Sequence, residues 1–255
     1  MERREFPILE YDPSEIAIIE PKKVFQENKL SDYCVLTWFQ QTINLMEQSG
    51  IVKKHIKLDT TAIVQWIYEY NYKGNKIALI NPNVGGPISA MCFETAIARG
   101  YKKFIAVGGA GVLEPKLKVG KIVIIDSAIR DEGTSYHYLP ASREIKVNQK
   151  ILKIMEKELI TRKIDHVVGK TWTTDAIFRE TPEKIKIRKQ ENALIVEMEA
   201  ASLISIAQFR DISLGYLICC GDDVSGEEWD VRKEVDRKPI QERMIDLACD
   251  LVLKL

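Results

Sequence analysis

Short apolar, β-rich runs alternate with helix-patterned stretches along almost the whole chain, and a layered α/β fold is the arrangement that covers the apolar face of each. Strands are predicted over residues 34–37, 63–68, 76–80, 103–107, 121–127, 166–170 and 214–220. Helices are predicted over 38–48, 87–99, 147–161, 182–190, 199–209 and 232–253. Pro87 and Pro182 suit a first helical turn, where proline has no amide hydrogen to lose. No linker-like or repeated segment interrupts the pattern, and 255 residues are enough for one substantial core, so one domain spanning 1–255 is expected.

Charge and composition narrow the function. Thirty-seven acidic and 37 basic residues balance, which argues against nucleic acid or an anionic membrane and for a small-molecule ligand. No apolar run approaches the roughly 20 residues needed to cross a bilayer, and Met1 to Phe6 has no apolar signal core behind it, so a cytoplasmic location is expected. The five cysteines sit mostly among apolar neighbours without CxxC spacing, which suits buried reduced thiols. Three histidines without HExxH or a paired Cys/His set give no basis for a metal site.

The chemically richest run is Val196-Glu197-Met198-Glu199-Ala200-Ala201-Ser202, where an apolar strand gives way to a helix. Glu199 can accept hydrogen bonds from the vicinal hydroxyls of a ribose, while Met198 offers a deformable surface to the sugar. Capping is the plain alternative: Glu197 and Glu199 would then complement the helix dipole and nothing more.

Three more blocks accompany this run: Asn83-Val84-Gly85-Gly86-Pro87, the segment Phe104 to Leu113 with Gly108-Gly109, and Leu214 to Cys220 ending in Gly221-Asp222-Asp223. In this order and at these separations they resemble the purine and uridine nucleoside phosphorylase family, which also contains hydrolytic nucleosidases. The Val196–Ser202 run is the specific block, and the glycine-rich ones are individually weak. The resemblance implies a three-layer αβα sandwich around a twisted mixed sheet, with the pocket at the carboxyl ends of strands. It also implies a homo-oligomer, a dimer or a trimer of dimers, and no cofactor.

The family's reaction passes through an oxocarbenium-like sugar, so the pocket must hold ribose and stabilise a departing base. The resemblance makes Asp222 the general acid, with Asp223 as the alternative beside the base, and gives ribose to Glu197, Met198 and Glu199. In Thr173 to Arg179 it places an aromatic against the base: Ile177 stands at the ring-bearing position and Phe178 one residue later, with core packing of Phe178 as the alternative. Thr181 and Glu183 stand where uridine-specific members carry glutamine and arginine, which favours a purine.

Phosphate is where the chain departs from the pattern. The family's two phosphate arginines and hydroxyl correspond to Ala106, Glu15 and Gly109, taking Tyr11-Asp12-Pro13-Ser14-Glu15 as the N-terminal motif, and no arginine occurs between residues 5 and 98. Without guanidinium partners a dianion is poorly held. Hydrolytic members carry a glutamate that activates water at the position of Glu15, so the expectation leans to hydrolysis, with a surface role as the alternative for Glu15. Inorganic phosphate stays open as a co-substrate, with Lys22, Lys23 or Arg130 as unorthodox ligands. Arg130, His137 and Tyr138, in the polar and aromatic loop 131–138, are candidates to line the pocket, and a solvated loop is the alternative. A nucleoside-binding sensor without turnover is the competing class; a strand-end acid such as Asp222 is what it would not need.

Overall fold

The computed structural model describes residues 3–59 and 64–255; Met1, Glu2 and Ile63, which entered the readings above, lie outside them. Ten strands form one mixed sheet. Its axis is β5 (Lys103–Val112), whose apolar first half is completely buried. Strand β5 runs parallel to β1 (Tyr33–Thr37) on one side and to β10 (Ser213–Asp223) on the other. Parallel strands covered on both faces require continuous apolar runs, and Cys34-Val35-Leu36 and Phe104-Ile105-Ala106-Val107 supply them.

From β1 the sheet continues through β4 (Asn75–Ile80) and β3 (Val64–Tyr72) to β2 (Val52–Asp59) at its edge. The sequence pattern missed β2, where Lys53, Lys54, His55 and Lys57 are exposed. Such lysines suit an edge strand, which they protect from pairing with another chain. In the other direction β10 pairs with β6 (Ile122–Asp131), β6 with β8 (His166–Thr174), and β8 with β9 (Ala193–Glu197). Strand β9 then pairs with the far end of β5 through Gly111↔Val196 and Val112↔Ile195, which closes five strands into a ring. The short β7 (Glu144–Lys146) pairs with β6. The mixed α/β sheet is as expected; the ring closure was not visible in the pattern of any one strand.

Helices pack around this sheet. After α1 (Pro21–Val24), α2 (Gln40–Gln48) packs with α7 (Lys238–Val252) beside β1 and β5. Helix α3 (Gly86–Ala98) packs with α6 (Ala200–Phe209), and α4 (Gln149–Thr161) lies against β6 and β10. Helix α5 (Pro182–Gln190) starts at Thr181, whose hydroxyl accepts the Lys184 amide. Four helices begin later than predicted: α6 by one residue, α2 and α4 by two each, and α7 by six. Trp38 and Phe39 stay outside α2, and residues 232–237 form a loop in which Arg232 adopts a left-handed φ of 52°.

A second, smaller core gathers around Trp172 of β8, with Ile129 of β6, Ala193 and Val196 of β9, Leu113 after β5 and Ile185 of α5. Trp172 is fully buried, its Nε1 donates to Asp131 Oδ2 at 3.0 Å, and the Arg188 guanidinium lies 5.4 Å from the ring centre. Trp172→Ala is therefore expected to cost about 3–5 kcal/mol, read from the urea midpoint. A loss under about 1 kcal/mol would show that this smaller core does not depend on the indole.

Candidate active site

The ends of β1, β5, β9 and β10 surround one cavity of about 490 Å³. Gly108 and Gly109 of β5 form part of its wall. A side chain at Gly108 would sit 3.1 Å from Trp38 Cε3, so glycine lets the indole lie against the backbone. The indole is fixed by Nε1 donating to the Asn83 carbonyl at 2.6 Å and by stacking on Tyr216, 6.0 Å between ring centres.

Glu197 and Glu199 divide the two roles that the sequence left open. Glu197 is the capping residue. Its Oε2 accepts the Glu199 and Ala200 amides, both at 2.7 Å, and its Oε1 accepts the Thr173 hydroxyl at 2.6 Å and the Thr171 hydroxyl at 3.2 Å. With both oxygens engaged, the carboxylate expected at the ribose is held at the start of α6, although it still borders the cavity. Burial pushes Glu197 above the usual carboxylate range, against the pull of these four donors.

Glu199 occupies the N-cap position of α6 without a side-chain cap bond. Its Oε1 instead accepts the Gly85 amide at 2.6 Å, across the cavity floor from the start of α3. Gly85 has a φ of 98°, a region open to glycine, which aims its amide at the carboxylate. Burial, reinforced by the neighbouring Glu197 charge, raises Glu199 to about 8. Met198 lies between the two acids on the same wall.

Asp222 borders the cavity from the end of β10, and its Oδ2 accepts Trp229 Nε1 at 2.6 Å. Asp223 does not border it. Arg232 Nη2 donates to its Oδ2 at 2.6 Å and the Ser225 amide to its Oδ1 at 2.8 Å, so the alternative acid and base-side ligand is turned into a salt bridge that fixes the following loop. Ile177 and Phe178 both reach the cavity, from a 3-10 turn after β8. Phe178 is 95% exposed, which excludes core packing and leaves its ring at the mouth with Trp229.

The other candidates lie elsewhere. Glu15 is exposed in the N-terminal segment and does not border the cavity. The chain's own N-terminal approach is Trp38-Phe39 after β1, which the sequence reading placed inside a helix. Ala106 is buried in the core of β5. Lys22 and Lys23 sit on α1, next to a segment that packs on the C-terminal end of α3, where Asn28 Oδ1 accepts Arg99 Nη1 at 2.8 Å and Phe25 lies under the same guanidinium. The opposite end of α3 faces the cavity, about 20 Å away for 13 residues of helix.

Arg130 is buried and donates to Ser135 Oγ, Ser142 Oγ and the carbonyls of Pro140 and Leu139, so it pins loop 131–143. His137 is exposed and Tyr138 packs edge-on against Phe209; neither borders the cavity. The loop reaches the site indirectly: Glu132 accepts the Ser202 hydroxyl at 2.6 Å, behind the first turn of α6.

Glu180 and Arg237 also line the cavity, and the sequence reading missed both. Neither belongs to a recognisable run; the fold alone brings them in. Glu180 stands between the 3-10 turn and α5, and Arg237 immediately precedes α7.

Residues 52–254 match the sequence profile of the Phosphorylase superfamily. The chain belongs to this superfamily. Among characterised superfamily members, uridine phosphorylase of Haemophilus influenzae is 21% identical over 203 residues, covering 74% of this chain and 79% of its own. Purine nucleoside phosphorylase of Plasmodium vivax is 27% identical over 183 residues, covering 69% and 72%. The solved structure of uridine phosphorylase from Vibrio fischeri ES114 superposes with a TM-score of 0.74 at 19% identity, covering 90% of this chain and 92% of that one. The superfamily fold is thus present from the edge strand β2 through α7, the span that carries most of the cavity wall.

Raising Glu199 from 4.5 to about 8 has a consequence for stability. An acid whose folded value is raised binds its proton more tightly in the native state, so it costs stability as pH climbs from its ordinary value to the folded one. Relative to wild type, Glu199→Gln is expected to gain urea resistance progressively between about pH 4.5 and pH 8 and to level off above. A difference that does not vary with pH over that window would contradict the buried, raised carboxyl.

Proposed function

We propose that this chain cleaves the N-glycosidic bond of a purine-type nucleoside, with water favoured over phosphate as the acceptor. The observation that carries the reading is a single cavity with Glu199 and Met198 on one wall, Asp222 on another, and Phe178 at its mouth. Glu199 would accept the ribose hydroxyls, Phe178 would cover the base, and Asp222 would give a proton to a base ring nitrogen as the C1′–N bond breaks. A water oxygen then bonds to C1′ and releases a proton to solvent. The relatives named as nucleoside phosphorylases support N-ribosyl cleavage as the reaction type.

Support for water comes from the wall itself. Glu180, Glu197, Glu199 and Asp222 border the cavity against one guanidinium, Arg237, which also donates to the Val231 carbonyl. A dianion entering this set finds a single guanidinium as its cationic partner. The Trp38 indole, packed on Gly108, further narrows the space beside the glycine run. Phosphorolysis is the second reading, favoured by the named activities of the relatives, and Arg237 is the ligand it would use. Self-association is proposed as well, since Ile16, Ile18 and Ile19 are 78%, 102% and 77% exposed and would be covered by a second copy.

Incubation with adenosine, guanosine, inosine and uridine, with and without millimolar phosphate, tests the reading. Free base and free ribose from a purine nucleoside, at a rate indifferent to phosphate, is the expected outcome. Ribose 1-phosphate formed only with phosphate would establish phosphorolysis instead, and release of no base from any of the four would remove the cleavage reading. Asp222→Asn should lower kcat by about 10²–10⁴ while nucleoside binding persists, as loss of one positioned acid does.

A further inference from the structure

Trp229 lies at the cavity mouth with its side chain 67% exposed, yet its one polar group is committed: Nε1 donates to Asp222 Oδ2 at 2.6 Å. An indole so little packed is not held by burial, so the hydrogen bond and the backbone around it decide where the ring sits. That backbone is a closed hairpin. The Asp223 amide donates to the Asp230 carbonyl at 2.8 Å, and the Asp230 amide returns a bond to the Asp223 carbonyl at 3.0 Å. With Asp223 opposite Asp230, antiparallel pairing puts Asp222, Val224, Trp229 and Val231 on one face, and makes Asp222 and Trp229 diagonal neighbours within reach of a long aromatic side chain. Asp222, Val224 and Trp229 all border the cavity accordingly. Buried Arg232 locks the base of the hairpin: Nη2 donates to Asp223 Oδ2 at 2.6 Å, Nη1 to the Leu117 carbonyl at 2.8 Å, and its amide to Asp230 Oδ1 at 2.9 Å.

We propose that Trp229 is a positioning residue for the reaction, whose N–H occupies Oδ2 of Asp222 and so leaves Oδ1 as the oxygen that carries the proton to the departing base. This role rests on the cleavage reading. A carboxyl group turns in a broad, two-fold torsional well, so an unheld aspartate presents either oxygen over a range of angles. A donor fixed on one oxygen removes that freedom, and a protonated carboxyl accepts best through its carbonyl oxygen, so the proton is left to Oδ1. In the step itself the C1′–N electron pair passes to the base, the Oδ1 proton goes to a ring nitrogen of that base, and Asp222 is left ionised with the indole bond still on Oδ2. The water that adds to C1′ releases its proton to solvent, and solvent returns one to Oδ1. A hydrogen bond to a charged acceptor is stronger than one to a neutral acceptor, so the N–H also steadies the carboxylate as it forms. Such orientation acts on rate rather than on affinity, since the base nitrogen takes the proton only as the C1′–N bond breaks.

Two readouts on the whole chain test this. In the free protein labelled with nitrogen-15 at tryptophan, the indole resonance that vanishes in Trp229→Phe should lie downfield of an exposed indole and exchange slowly with water, and Asp222→Ala should return it to the exposed-indole position. Steady-state kinetics on a purine nucleoside are the second. Trp229→Phe keeps an aromatic ring and loses the N–H, so kcat should fall about 10- to 100-fold while KM stays within about twofold. In an Asp222→Asn background the same substitution should lower the residual kcat no further, because the proton that Trp229 aims is already gone. An exposed-indole resonance that Asp222→Ala leaves in place would overturn the positioning, and so would a wild-type kcat in Trp229→Phe, a loss confined to KM, or an equal kcat loss in both backgrounds. If wild type cleaves no nucleoside, the cleavage reading fails by itself, and the resonance still decides whether Trp229 fixes Asp222.

Discussion

The hydrogen bond from the Gly85 amide to Glu199 Oε1, 2.6 Å long, joins the two strand-to-helix junctions that make the cavity floor. On one side β9 ends and α6 begins; on the other, the chain leaves β4 and enters α3 through Val84 and Gly85. A hydrogen bond to a charged group is worth about 1.5–3 kcal/mol, and burying the carboxylate costs a comparable amount or more. The bond thus fixes geometry rather than adding much stability, and the raised Glu199 records that cost. Glu197 makes the arrangement possible. By taking the two α6 amides and two threonine hydroxyls, it frees the Glu199 side chain from capping its own helix and lets it cross to Gly85.

Electrostatics follow from the same placement. Four carboxylates border a cavity that holds one guanidinium, so each added negative charge is resisted. Glu199 responds by rising to about 8 and Glu180 to about 7, each through burial first and a neighbouring carboxylate second. Such a wall suits a neutral sugar with hydroxyl donors and a leaving base that needs a proton. Arg232 shows how the fold disposes of the remaining acid, by pairing with Asp223 and anchoring the loop that carries Trp229.

Much of this was legible in the sequence, for identifiable reasons. Strands β1, β4, β5 and β10 are buried on both faces and therefore read as continuous apolar runs. The Val196–Ser202 run marked the junction, but which glutamate caps and which faces the cavity depends on Gly85, more than a hundred residues away. Strand β2 was hidden by its edge lysines, and the closed ring needs the pairing of β9 with β5. Glu15 does not border its own chain's cavity, because a short Asp-Pro resemblance says nothing about where a segment lies, whereas Trp38 and Phe39 reach it because β1 ends beside β5. Arg130 looked like a ligand until its donors were seen to hold the loop's own oxygens. Glu180 and Arg237 carry no local signature at all.

Calorimetric titration compares most directly what the cavity floor is claimed to do. Purine ribonucleoside and its 2′,3′-dideoxy counterpart are titrated into Asp222→Asn, so that binding is read without turnover, and again with Glu199→Ala added. Two lost hydroxyl-to-carboxylate bonds should weaken the dideoxy compound by about tenfold or more, and Glu199→Ala should erase that difference. Equal affinity for the two nucleosides with Glu199 in place would contradict the account.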